Sequence, residues 1–366
     1  MTPAIEVESR ESTPRWLDYG APVLTILAAL FVAAIPLLWI GANPILVYEQ
    51  IFLDSLLDLG GIADILTTAT PLFLAGLAVY IPLKAGLWNI GAEGQLYVGA
   101  IVGTYIGLNY GVPSYVLLVL MMLASGLAAA LYGAIPGYLR AEHDVNEIIS
   151  SLMLTFAATT FTGYLLRGPL QGRGGQTATD RLPAAAELPT VLHPRLHVGV
   201  GILAIAAVLG TLLLTRTRLG YEITFIGSNP AAAKQAGISS YKIYILVFLI
   251  GGFLAGLAGI IEIAGVHGRL FESFSPGYGF TAVAVALLGR NGVFRVLLAA
   301  LFFGVLTAGG TTVAITMDVP NALVDVIVAL TILFLLTAEF ITEYRLAVTV
   351  GGKPDTGSEP SMEGST

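Results

Sequence analysis

Apolar residues run along this chain in long blocks set apart by short polar gaps. About 20 apolar residues in helical conformation cross a hydrocarbon core of ~30 Å. Blocks of that kind fall at residues 22–40, 62–83, 91–108, 115–135, 148–166, 198–214, 243–265, 296–315 and 321–337. A tenth block, 278–289, is too short for a full crossing; it reads as a tilted short span, a re-entrant half-helix or part of a broken helix lined by protein. The pattern predicts an all-α fold, a polytopic transmembrane helical bundle of about ten spans over residues 21–340. Four polar stretches remain: tails at 1–20 and 341–366, within which 1–18 and 351–366 are expected to be disordered, and long connections at 167–197 and 215–242. The first block is not expected to be a cleaved signal peptide, because acidic Glu6, Glu8 and Glu11 precede it and no small-residue cleavage site follows.

Composition agrees and removes other classes. Of the 366 residues, 56% are hydrophobic and 11% charged, against about 25% charged in an ordinary soluble domain. So little charge cannot cover a water-soluble globule, which excludes a soluble enzyme, a nucleic-acid-binding module and a disordered scaffold. With no cysteine there is no disulfide, thiolate metal site or Cys nucleophile.

The scarce charge is ordered along the chain. With ten spans and an inner N-terminus, the inner side receives Arg10, Arg15, Lys84, Arg140, Arg216, Arg218, Lys234, Lys242, Arg290, Arg295, Arg345 and Lys353. The other side keeps Arg167, Arg173, Arg181, Arg195 and Arg269, mostly in the long 167–197 loop. Basic residues favour the cytoplasmic side, so both termini are expected in the cytoplasm and the 167–197 loop outside.

Catalytic signatures do not appear. None of the four lysines closes a G-x-x-x-x-G-K-[ST] phosphate loop, and no G-x-S-x-G occurs. His193 and His197 have an i, i+4 spacing, but Pro194 intervenes and the glutamate of H-E-x-x-H is missing, so no metal site is expected. Inside the spans only Asp64, Glu93, Glu262 and Asp325 ionise, a thin set for a proton relay. The chain therefore reads as neither an enzyme nor a favoured ion-coupled carrier, and no cofactor is implied.

Two segments carry candidate chemistry. In 84–99, KAGLWNIGAEGQLYVG, glycines interrupt an apolar stretch that also holds Asn89, Glu93 and Gln95. Broken helix is tolerated where backbone lines a protected cavity, so these three polar residues either line a transport path or build a hydrogen-bonded turn. Gly99, Gly103 and Gly107 continue as a small-residue stripe suited to close helix packing. In the second segment, 227–237, GSNPAAAKQAG reads as a two-turn helix. Ser228 or Asn229 caps it, Pro230 takes its first position, Ala231, Ala232 and Ala233 propagate it, Lys234 suits its negative end and Gly237 closes it. So short a helix is marginal in water and needs a surface to dock on.

GLWNIGAEGQLYVGA, EHDVNEIISSLML at 142–154, IGSNPAAAKQAGI and GYGFTAVAVALLGRN at 277–291 together resemble the membrane permease subunit of ABC importers of the ribose/branched-chain amino-acid permease type. Within that branch they are most similar to the permeases paired with basic-membrane-protein-type lipoproteins, which import nucleosides and simple sugars. The resemblance spans residues 84–291 and omits the tails, the first span and the outer loop. It implies about ten helices, cytoplasmic termini and location in a prokaryotic cell membrane. It further implies partner ABC ATPase subunits, a second permease subunit as homo- or heterodimer, and an extracytoplasmic binding lipoprotein. The helix at 229–237 would be the element that docks on the ATPase, and 142–147 either a second such contact or a cap on the following span. A branched-chain amino-acid permease is the neighbouring reading, although no Arg or helix N-terminus is marked out for a carboxylate.

Overall fold

The computed structural model describes residues 4–9 and 15–349. Strand β1 (Ala4–Ser9) and helix α1 (Arg15–Trp39) are followed by α2 (Pro44–Glu49), a π-helical turn at Gln50–Asp54 and α3 (Ser55–Leu57). Next come α4 (Leu59–Lys84), α5 (Ala92–Asn109), α6 (Ser114–His143) and α7 (Glu147–Leu166). After a long loop come α8 (Gly199–Arg216), α9 (Arg218–Ser228), α10 (Pro230–Gln235) and α11 (Ser240–Glu262) with a π-helical end at Ile263–His267. Helices α12 (Tyr278–Leu288), α13 (Val293–Thr316) and α14 (Asn321–Glu343) and strand β2 (Tyr344–Thr349) complete it. Seven of the described helices, α4, α6, α7, α8, α11 with its π-helical end, α13 and α14, are long and apolar enough to cross a membrane by length and composition.

Helix α4 is the centre. It is buried along most of its length and packs against α8, α11, α12 and α13. An apolar helix without a polar face has no reason to lie at a surface, and α4 carries none from Thr67 to Pro82. Around it the helices approach through small residues. Gly252 and Gly256 of α11 lie on Ala129 and Ser125 of α6, and Gly99 of α5 lies on Gly256. A Cβ at Gly99 would strike the Gly256 backbone, which is why the small-residue stripe is needed. Gly103 and Gly107 continue it against Ile260 and Leu182.

Contacts define two ends. At one, Arg195 of the 167–197 loop reaches Asp64 near the start of α4; at the other, Gly227 of α9 abuts the carbonyl of Lys84 at the end of α4. Gly309 of α13 meets Ile51 near the first end, while Tyr80 bonds the Arg290 carbonyl near the second. Helix α14 therefore runs back toward the α10 end, where β2 pairs antiparallel with β1. Residues 1–18 were expected to be disordered; the structure instead pairs 4–9 with 344–349 as an antiparallel ladder, in which each strand supplies the other's backbone partners. Residues 351–366 lie outside the described residues.

Two other departures have local causes. Residues 44–57 form a helical segment where no span was expected. Val47 and Ile51 bury one face, but the segment is too short and too acidic, with Glu49 and Asp54, to register as a crossing. Helix α6 extends beyond the expected 135 to His143, carrying Arg140 past the apolar block. The 167–197 loop packs onto the bundle: Ala178, Leu182, Ala186 and Leu188 are buried, the Thr179 N–H donates to the Leu270 carbonyl and the Leu270 N–H donates to the Thr179 hydroxyl.

Candidate functional site

The helix break after α4 leads into the centre of the bundle. Residues 85–91 leave the helical path at Gly86, whose φ is +77°, and α5 begins at Ala92 beside α7. Gly91 lies against Ser151 and Gly94 against Thr155, about midway along α7. Helix α12, with 11 residues, is about 17 Å long, roughly half a bilayer core. It too starts inside the protein, and its Gly279 touches the backbone of Glu93 so closely that no Cβ would fit. Two helix N-termini thus meet mid-bundle, where the first backbone N–H groups of a helix have no partner within the helix itself and must find one elsewhere.

All three polar residues singled out in 84–99 sit at this junction. Asn89 and Gln95 exchange two amide hydrogen bonds, at 3.0 and 2.9 Å, and Asn89 also donates to the Ala78 carbonyl at 3.0 Å. The Glu93 carboxylate accepts the Gly279 N–H at 2.6 Å, and Ser275 bonds it as well. Asn89, Glu93 and Gln95 are buried at 0%, 3% and 1% exposure, so in this state all three fasten the break and none opens onto solvent within the subunit.

The chain leading to α12 completes the junction. Residues 268–277 form an irregular strap bounded by Gly268 and Gly277, with φ of +67° and +89°. His267 Nε2 lies 3.2 Å from Glu262 Oε1 and 3.2 Å from the Phe274 carbonyl; two acceptors at one nitrogen assign the proton to it. The Tyr97 hydroxyl donates to the Glu272 carbonyl, and Tyr97 packs on Phe274 with ring centroids 4.6 Å apart. Ser275 accepts from the Gly277 and Tyr278 N–H groups, capping α12. At the loop end Arg167 forks onto both oxygens of Glu272 at 2.8 and 2.7 Å. Only the 277–291 motif and the ionisable Glu262 pointed here from sequence. The rest depends on residues 93, 97, 167 and 267–279 meeting in space.

At that same end a cavity of about 410 Å³ is lined by Asp180, Arg181, His267 and Arg269 among others. Beside it, His197 is buried at 1% exposure, its Nδ1 accepting the Gly199 N–H at 3.1 Å. Burial pushes its pKa down to about 4, so the imidazole is neutral. Among the described residues no His, Cys, Asp and Glu cluster could hold a metal ion.

At the opposite end, Asn229 caps α10 by accepting the Ala232 N–H at 2.9 Å, Pro230 opens it, Lys234 lies in its last turn and Gly237 follows with φ of +76°. Ser228 instead bonds back to Phe225. The surface this short helix needs is supplied from within. Ile223 and Ile226 of α9 and Ala233 of α10 join Ile81, Leu87, Val247 and Phe248 in a separate hydrophobic cluster. Ser228, Asn229, Pro230, Ala231, Lys234 and Gly237 remain exposed. In the 142–147 stretch, Asn146 caps α7 through the Ile148 and Ile149 N–H groups.

A multi-pass helical body with broken helices at its centre and a small helical platform at one end is the build of a membrane transport subunit. The sequence model of the family described as the permease component of the branched-chain amino-acid transport system matches residues 61–336, and the chain belongs to that family. It is accordingly a transport component of an ABC system in the plasma membrane, working with ATPase and substrate-binding partners. It is 48% identical over 361 residues, 95% of each chain, to a glucose ABC transporter permease protein of Haloferax volcanii. A nucleoside ABC transporter permease protein of Lactococcus lactis is 33% identical over 89% of this chain and 92% of its own. A guanosine ABC transporter permease protein of Bacillus subtilis is 32% identical over 86% and 91%.

Proposed function

We propose that this subunit imports a monosaccharide or nucleoside handed over by an extracytoplasmic binding lipoprotein, and that partner ATPases drive it. The observation that carries the reading is near full-length similarity to a glucose permease at 48%, with nucleoside permeases at 32–33%. Monosaccharide is therefore the first substrate to test. The polar groups of the central junction suit an uncharged polyhydroxyl cargo, since Asn89 and Gln95 are neutral amides. Asn89, Glu93 and Gln95 would border the path by shaping the helix break, facing it when the subunit changes state. No phosphate loop occurs in the sequence, so ATP hydrolysis is assigned to the partner.

In this reading the bundle makes about ten crossings, the α10 end and the tails 1–20 and 341–366 are cytoplasmic, and two permease subunits flank the path. The exposed residues of 228–237 rest on the ATPase, while the 167–197 loop and residues 267–275 receive the binding protein. The test is reconstitution of the permease with its ATPase and binding protein in proteoliposomes, with labelled glucose and guanosine compared. ATP-dependent uptake of one of them is expected; uptake of leucine instead of either would overturn the substrate reading. Ala231→Arg, on the exposed side of α10, is expected to abolish ATPase co-purification and uptake. Unchanged uptake would remove α10 from the coupling role.

A further inference from the structure

We propose that Glu93 is the positioning residue of a releasable latch, which holds half-helix α12 and the strap 268–277 to α5 in one state of the transport cycle and lets go in the other. The proposal rests on the transport reading above.

Its first support is the bond itself. The Glu93 carboxylate meets neutral donors at an N-terminus, the Gly279 N–H and Ser275. Such an interaction holds when the geometry is right and is lost when the partner moves away, because it depends on short distance and on the N–H direction. Six residues from Asn89, Gln95 ties the same helix break with neutral amides, so a neutral tie was available here too. A carboxylate kept inside a membrane bundle is costly, and such residues mark moving or conducting parts.

The second support is what the latch holds. The strap has no regular backbone of its own and turns at Gly268 and Gly277, both in left-handed conformations. Its far side is tied to the loop end by the two Thr179–Leu270 hydrogen bonds, by the Leu182 N–H to the Gly268 carbonyl, and by the Arg167–Glu272 fork. Its near side meets α5 at Tyr97, which bonds the Glu272 carbonyl and packs on Phe274, and at Glu93. One segment therefore joins the surface proposed to receive the binding protein to the middle of the bundle, and Glu93 fastens its inner end where α12 begins. The close approach at Gly279 leaves α12 no room to slide along α5 while the latch is shut. Displacement of the strap and α12 away from α5 must break the Glu93 bond along with the Tyr97 contacts.

The experiment is hydrogen–deuterium exchange of residues 268–281 in the full importer, permease with ATPase and binding protein, without nucleotide and with ATP plus vanadate. In the wild type the first turn of α12 is expected to exchange at least about tenfold faster in one nucleotide state. Glu93→Gln, nearly isosteric but uncharged, is expected to show fast exchange in both states and to move at least about tenfold less substrate per ATP hydrolysed. A fastening without a cycle role would give equal exchange in the two states, or a Glu93→Gln complex like the wild type; either result overturns the latch. Should Glu93→Gln fail to assemble, the wild-type comparison alone decides. If the wild-type complex shows no ATP-driven uptake, it is the transport reading that fails.

Discussion

Asn89 and Gln95 show how a polar residue is kept inside an apolar bundle: each amide group satisfies the other. Removing one leaves its partner buried and unpaired, which costs about 1–3 kcal/mol. Asn89→Ala is thus expected to lower the thermal unfolding temperature in detergent, and the Asn89→Ala/Gln95→Ala pair to cost less than the sum of the single changes. His197 makes a pH prediction. Its folded pKa of about 4 lies below its usual 6.5, so the unfolded chain binds the proton first. The contribution to stability is present above pH ~6.5 and is lost as pH falls toward 4, by roughly 3 kcal/mol in total. Unfolding temperatures of wild type and His197→Gln, compared at pH 7.5 and pH 5, check this: the wild type is expected to lose stability on acidification and the variant to lose less.

Among the elements, α10 and α11 depend on their sequences in opposite ways. Helix α10 is written locally, with Asn229 as cap, Pro230 first and Gly237 beyond the end. Asn229→Ala is expected to cost about 1 kcal/mol, seen as faster amide exchange over 230–236 with the rest of the bundle unchanged. Helix α11 is written by its neighbours. Its Gly256 exists because Ser125 and Ala129 of α6 and Gly99 of α5 come within contact of it. Gly256→Leu forces three helices apart, and a loss of about 1–3 kcal/mol or more is expected, measured by thermal unfolding of the purified subunit.

Across the whole molecule, ion pairs at the loop end join parts far apart in sequence: Arg167 to Glu272, and Arg195 to Asp64. Both partners of the Arg167–Glu272 pair are exposed, 58% and 42%, so its contribution to stability is at most about 1 kcal/mol. Its consequence belongs to coupling between the loop and the strap. Arg167→Glu is expected to leave the unfolding temperature nearly unchanged and to lower ATPase stimulation by the binding protein, with Arg167→Glu/Glu272→Arg restoring it.

The helical, membrane-embedded nature of the chain was legible in sequence because bilayer thickness turns length and apolarity into a count of residues. Helix α10 was legible because caps, proline and glycine act over a few positions, and the break at 84–99 because glycines and amides are conspicuous in an apolar block. Residues 44–57 were hidden because their apolar face is short and interrupted by acids. What tertiary structure alone decided is which groups meet. No local rule joins Glu93 to Gly279, Arg167 to Glu272 or Thr179 to Leu270, since each pair is about 90 or more residues apart. Sequence identified Glu93 as a costly charge in an apolar helix. Only the packing of α5, α7, α11 and α12 supplied the α12 N-terminus whose Gly279 N–H satisfies that carboxyl group.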